Sequence, residues 1–328
     1  MKAVKLKAWG IFALVFLMMI IPAVLGILVG GQAYSPLAGG EKGIEIKNTV
    51  EVYMTVGGEK KRVSFEDYVI MAMLAEVPAS FDKEALKAMA VAVRSYTARR
   101  VLTEEKLVCH FSADVCDDHT HCLGAVAYGD AALMWGEERA DVFYKLIEEA
   151  VSETRGQVLC YEGMIADAVF HSSSCGYTES AENVWGFDIP YLVSAETFEN
   201  AEKSIFEFSP DEFSEKLKGE MYLGDLSGEP AGWIEAVHKN ETGRVSGAVV
   251  GGKTLTGRRI REIFGLPSAC FDLVYNGEGF IFEVYGNGHG VGMSQYGCQS
   301  LAESGMLYGD ILSHYYKGTY IEKLEYVK

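Results

Sequence analysis

Apolar residues are unevenly spread along the chain, and their spacing predicts most of its elements. From Ala8 to Gly31 no side chain is charged, and Ile, Leu, Val, Phe and Met dominate. A helix of that length crosses about 30 Å of hydrocarbon. Residues 32–48 turn polar and Gly-rich and read as a linker. Val50, Val52, Met54 and Val56 then alternate ahead of Gly57-Gly58, the period of a strand and its turn. Ser64, with Asp67 three residues on, predicts a helix start, and Pro78 ends that helix at about Glu76. A second helix is predicted from about Asp82 to Arg100, where Leu86, Met89, Val93 and Tyr96 recur at helical spacing.

Downstream the periodicity weakens. Residues 101–136 show no clean repeat. A helix is expected near 140–153, followed by a hairpin turning at Glu162-Gly163, then a Ser-rich loop over 171–178. The acidic stretch after Pro190 reads as a lobe boundary or an insertion. Hairpin turns are expected at Asn240–Gly243 and Asn276–Gly279, with a short helix around Ile260 between them. A glycine-rich loop, 286–297, precedes helical segments ending near Tyr316. The expected fold class is α+β: mixed helices and antiparallel hairpins in one ectodomain of two lobes, 49–190 and 191–328, behind a membrane anchor.

Charge narrows the choice of partner. The sequence has 29 Lys+Arg and 46 Asp+Glu. Lys2, Lys5 and Lys7 precede the apolar run, so 29 less 3 leaves 26 basic against 46 acidic side chains, a balance of −20. That surface excludes nucleic acid, which needs clustered cations, and suits a neutral sugar polymer or a basic protein. The three lysines place residues 1–8 in the cytoplasm, 9–31 across the cell membrane as a single pass, and the remainder outside. A cleaved signal peptide would have a shorter apolar run and an A-x-A site, so an uncleaved anchor is expected.

Several residues carry candidate chemistry. Glu76 closes a helix, where partial negative charge and apolar neighbours would raise a carboxyl pKa, as a general acid requires. His110, Cys116, His121 and Cys122 form H-x5-C-x4-H-C, a tetrahedral zinc set with no open position and hence structural. A disulfide competes with that reading, but seven cysteines leave one over and a pair would leave both histidines unexplained. Cys160, Cys175, Cys270 and Cys298 lack metal spacing and read as small buried residues. His171, Ser172, Ser173 and Tyr177 could meet sugar hydroxyls, or form an ordinary Ser-rich turn; no nucleophile elbow accompanies them. The glycine-rich loop lacks a phosphate-binding ending. Its His289, Gln295 and Tyr296 either reach a substrate cleft or hold backbone. Arg94 braces Glu76, braces another carboxylate, or is a surface cation.

Four stretches occur together: LAEVPASFDKEALKAMAVAVRSYTARR (74–100), FHSSSCGYTESAENVWG (170–186) with PYL (190–192), GHGVGMSQYG (288–297) and ILSHYYKGT (311–319). In this order they resemble the sporulation stage II protein D and amidase-enhancer family, in its clostridial zinc-containing form. The resemblance implies that Glu76 is the catalytic acid of a lytic transglycosylase. Such an enzyme cuts peptidoglycan glycan strands, stripped of stem peptides, to 1,6-anhydro-muramyl ends during engulfment. It also implies zinc at the four ligands, sporulation stage II proteins P and M as partners, and the mother-cell engulfing membrane as location. The alternative is a non-catalytic glycan-binding enhancer of a cell-wall amidase.

Overall fold

Helix α1 (Phe65–Glu76) begins and ends where its local sequence requires. The Ser64 hydroxyl accepts the Asp67 N–H at 3.2 Å, and Glu66 and Asp67 occupy the first turn, favourable beside the positive helix end. Val77 is extended ahead of Pro78 and returns its N–H to the Met73 carbonyl. The structure, a computed structural model, describes residues 43–56, 58–102, 112–118, 121–219 and 224–328. The expected tail (1–8), membrane span (9–31) and most of the linker lie outside the described residues. Among these residues no helix is long and apolar enough to cross a membrane.

Helix α2 (Lys83–Leu102) is the axis of the first hydrophobic cluster. Its expected apolar face is buried, but so is every residue from Ala85 to Ala98 except Lys87. Alanines at 85, 88, 90, 92 and 98 allow neighbours to approach from all sides. Around α2 pack α1, α4 (Glu137–Glu153), α8 (Gln295–Glu303), α9 (Tyr308–Tyr315) and strand β5 (Gln157–Tyr161). Helix α3 (Tyr128–Trp135) packs against α4 and was not expected, since it starts at Ala127 without a side-chain cap.

Arg94 lies inside this cluster with no exposed surface, which corrects its placement among substrate contacts. It bonds the Glu66 carboxylate at 2.8 Å and donates to the Val151 and Gln157 carbonyls. Burial pushes the Glu66 carboxyl up, but the Arg94 charge and its hydrogen bonds outweigh it and hold the group below its usual range. Of the alternatives, Arg94 braces another carboxylate, not Glu76.

Two sheets flank α2. In one, β1 (Ile44–Lys47) runs parallel to β15 (Tyr320–Val327), which pairs antiparallel with β5, and β5 with β6 (Met164–Ile165). Residues 44–47, expected in the linker, are therefore a strand. The β5–β6 turn falls at Glu162-Gly163 as expected, both at positive φ (48° and 81°), matching a two-residue hairpin. The other sheet has the order β3 (Glu59–Ser64), β2 (Thr49–Met54), β4 (Val115–Cys116).

A second cluster is largely aromatic. Sheets β12 (Phe271–Tyr275)–β13 (Phe280–Tyr285)–β8 (Lys203–Phe208) and β11 (Lys253–Leu255)–β10 (Val245–Val250)–β9 (Ile234–Lys239) enclose it with α6 (Pro210–Gly219) and α7 (Gly257–Phe264). Phe213 of α6 stacks on Phe280 with centroids 4.0 Å apart. The acidic stretch thus contributes buried Phe213 and Leu217 and turns its charges outward. The clusters do not follow the 190/191 division. After β13 the chain returns to the first cluster with Val291, Met293, Cys298 and Tyr315. Cys175 and Cys270, expected as separate buried residues, form a disulfide between positions 95 residues apart.

Candidate active site

Glu76 is half-buried at the last turn of α1. Its Oε1 accepts the Gly124 N–H at 2.6 Å, which fixes the carboxylate against the loop after the cysteine cluster. A Cβ on Gly124 would lie 3.1 Å from that oxygen and 3.1 Å from the Ala75 Cβ, so the close approach suits glycine. The Glu76 carbonyl accepts the side-chain amide of Gln295 at 3.0 Å, across 219 residues of sequence.

Gln295 is held there by the pairing of two loops. β7 (Phe170–His171) and β14 (Met293–Ser294) are parallel, with Met293 opposite Phe170 and Ser294 opposite His171. Backbone bridges join Ser173 to Asn287 and Glu179 to Val291. Three glycines permit the contact. A Cβ on Gly288 (φ 112°) would lie 2.7 Å from the His171 Cβ, one on Gly290 2.7 Å from the Arg244 guanidinium, and one on Gly292 (φ 73°) would overlap the Val169 carbonyl oxygen. Ser294 then caps α8 through the Gly297 N–H, and its hydroxyl donates to Glu199 at 2.6 Å. Tyr296 donates its backbone N–H to the Ser172 carbonyl and sets its exposed ring edge-on against Phe81, centroids 5.4 Å apart.

The expected site residues therefore separate into two groups. Glu76, Ser172, Ser173, Tyr177 and Tyr296 keep exposed surface. His171 and Gln295 are buried, which corrects their assignment as sugar contacts: they hold backbone. His171 Nδ1 meets the Val291 carbonyl at 3.1 Å and Nε2 meets Ser174 Oγ. Burial, with His289 and Arg244 nearby, holds its imidazole well below the usual range. His289 is half-buried between His171 and Trp185 of α5 (Ala181–Trp185), its Nδ1 accepting the Val291 N–H at 3.0 Å. Burial first, then the Arg261 and Arg244 charges, bring it down to about 4.

Three polar residues were not expected. Buried Glu179 accepts from Ser180, Asn183, Asn240 and Thr242. Burial pushes its carboxyl up, yet these donors hold it below the usual range. Buried Arg244 donates to the Tyr177 carbonyl at 2.7 Å and to Ser174 Oγ at 3.0 Å. Glu199 accepts the Ser174 N–H at 2.7 Å. Glu179 stands within one of the matching stretches, but nothing local marks Arg244 or Glu199 as partners of Ser174.

Of the expected metal ligands, Cys116, His121 and Cys122 converge, with donor atoms within 4.8 Å of one another. His110 lies outside the described residues. His121 Nδ1 is 3.6 Å from each sulfur. Zinc bonds of about 2.3 Å to sulfur and about 2.05 Å to nitrogen, at the tetrahedral angle, separate the two donors by about 3.6 Å. The three donors fit such an ion. Burial pushes the Cys122 thiol up to about 12, so it would ligate as a thiolate only with a cation beside it. Tyr68, fully buried, has its phenol pushed well above 10 by burial, with Cys122, Cys116 and Glu76 adding to it; the cysteine cluster and the acid share this neighbour.

Residues 56–161 match the family described as Stage II sporulation protein. The chain is 34% identical over 285 residues to Stage II sporulation protein D of Bacillus subtilis (strain 168), covering 84% of this chain and 80% of that protein. Against Stage II sporulation protein D of Bacillus amyloliquefaciens, identity is 35% over 281 residues, with 84% and 79% covered. It is also similar to an amidase enhancer of Bacillus subtilis (strain 168), 25% identical over 296 residues, covering 74% of this chain and 39% of that protein.

Proposed function

The chain belongs to the stage II sporulation protein D family, and from that premise we propose that it is a lytic transglycosylase of peptidoglycan glycan strands. The observation that carries this reading is the acid Glu76, half-buried at a helix end, its carboxylate oriented by the Gly124 N–H and its carbonyl bonded to Gln295, next in sequence to exposed Tyr296. Hydrolytic glycosidases need a second carboxylate to attack or to activate water. An intramolecular route needs one. Glu76 gives its proton to the glycosidic oxygen as the anomeric bond breaks. The muramyl C6 hydroxyl then bonds to the anomeric carbon and returns a proton to Glu76. The products are a 1,6-anhydro end and a free hydroxyl on the departing sugar, and no water is consumed.

The rest of the reading follows the family. The substrate is glycan denuded of stem peptides, the setting is engulfment, and sporulation stage II proteins P and M are the partners. Residues 9–31 anchor the domain outside the cell membrane. Zinc held by Cys116, His121, Cys122 and His110 closes the loop that carries Gly124, and so bears on where Glu76 points. Metal analysis of the purified chain should find one zinc, lost in Cys116→Ala/Cys122→Ala; metal-free protein with a normal melting temperature would end the zinc proposal.

The second reading, a non-catalytic enhancer of an amidase, has the likeness to an amidase enhancer in its favour. Digestion of denuded glycan separates the two. The wild type should release anhydro ends, and Glu76→Gln should lower the rate by roughly 10²–10⁴. Intact glycan with both proteins favours the enhancer, and ordinary reducing ends identify a hydrolase.

A further inference from the structure

Beside the glycine-rich loop lies a cavity of about 340 Å³ walled by Asn183, Trp185, Arg244, Arg258, Arg261 and His289. Two acids share the wall, and both are engaged elsewhere. Glu179 is saturated by its four donors, and Glu262 is exposed and paired with Arg258 at 3.0 Å and Arg259 at 3.3 Å. Arg244 and Arg261 form no ion pair with any described residue. Arg244 is a buried, fixed charge, clamped by the Tyr177 carbonyl and Ser174 and covered by Gly290. Arg261 is anchored through Nε to the Leu266 carbonyl at 3.2 Å, and its terminal nitrogens make no hydrogen bond to a described residue. Arg258 and Arg261 sit three apart on α7 and share its face.

Glu179 and Glu199 offset the Arg244 charge from a distance, and Glu262 that of half-buried Arg261, but no carboxylate is bonded to either, and cations drawn from water in this way favour an anion that joins them. Burial lowers both guanidinium groups, and their field helps to keep His289 neutral. Composition does not explain such a cavity, because the chain carries a net charge of −17.

We infer that this cavity is a carboxylate subsite, which takes the lactyl carboxylate of a muramyl residue through Arg261, with the Trp185 ring offered to the sugar. The inference rests on the glycan reading above and refines it. Removing a stem peptide hydrolyses the amide on the lactyl group and leaves a carboxylate; a peptide-bearing sugar has a neutral, bulky amide in its place. Guanidinium and carboxylate pair in a planar fork that an amide cannot reproduce. The same loop runs from His289 in the cavity wall to Gln295 on Glu76. Six residues span at most about 20 Å, so a sugar held in the cavity stays within a short glycan segment of the acid.

The test uses the full-length chain in detergent, carrying Glu76→Gln to prevent turnover. Its binding is measured to glycan oligosaccharides freed of stem peptides, and to the same oligosaccharides with every lactyl carboxylate converted to its methylamide. The carboxylate form should bind at least about ten-fold tighter. Adding Arg261→Gln should erase the difference, leaving both forms at the weaker affinity. Equal binding of the two forms by the Arg261 protein overturns the inference, and needs no variant of the cavity to fold. A carboxylate preference that survives Arg261→Gln overturns it as well. Cleavage by the wild type is scored separately. Cutting of both forms at one rate keeps the transglycosylase and removes the subsite. An Arg261-dependent carboxylate preference without any cutting keeps the subsite and removes the transglycosylase.

Discussion

Arg94 shows how far one residue's surroundings can depart from its local sequence. It occupies a helix whose spacing points to a one-sided apolar face, yet its guanidinium is enclosed and paired with Glu66. Arg94→Leu would leave that carboxylate buried with only the Gly156 N–H and Tyr326 hydroxyl as donors. The expected loss is about 3–5 kcal/mol in urea unfolding, with much of it recovered in Arg94→Leu/Glu66→Leu. A variant of normal stability that bound glycan weakly would return Arg94 to the cleft. The histidines make a second residue-scale prediction. Folded His289 titrates near 4, and His171 also lies well below 6.5, the value expected of an unfolded chain. The unfolded state therefore takes up protons first as pH falls. Stability should be complete above about pH 6.5 and decline toward pH 4, by up to about 1.4 kcal/mol per pH unit for each imidazole. Urea midpoints that stay flat from pH 7 to 5 would show that these rings are not buried neutral. Glu76 was legible here, since helix start, proline break and motif all lie within a few residues of it.

Among the elements, those with a chemical marker at each end were legible. Ser64 and Pro78 bracket α1. Thr256 caps α7 through the Arg259 N–H, and Gly265 ends it at φ 66°. Elements whose apolar face is narrow or whose partner is remote were not. In α6 the inward residues are Phe213, Ser214 and Leu217, too few to stand out among acids. The β1–β15 pair joins residues 44–47 to 324–327, so no local pattern announces it. The glycine-rich loop lies between these cases: its glycines are plain in the sequence, but what presses on them is not. Gly292→Ala should cost at least about 2 kcal/mol and lower glycan cleavage more than ten-fold per folded molecule, because β14 would leave β7 and carry Gln295 with it. Gly176→Ala, also at positive φ but facing open space, should cost only about 1 kcal/mol with activity kept. Equal effects, read from melting and product release, would mean that backbone strain and not the Val169 contact sets the loop.

For the whole molecule, the described residues form one compact unit holding two hydrophobic clusters, and the chain leaves the first and returns to it. The candidate site depends on that return, since Gln295, which bonds Glu76, and Tyr296, which packs on Phe81, lie beyond the second cluster in the chain. The sequence by itself determined the helix limits, the acid at a helix terminus, the excess of negative charge, and the glycines that free the loop backbone. Each is a property of a few neighbouring residues, carried by caps, proline sterics and side-chain charge. Tertiary structure alone decided that Arg94, His171 and Gln295 face inward, that 170–179 lies along 286–297, that Cys175 meets Cys270, and that Arg244 and Arg261 share a cavity. Burial and pairing depend on segments far apart in the chain, and only packing decides which of them meet.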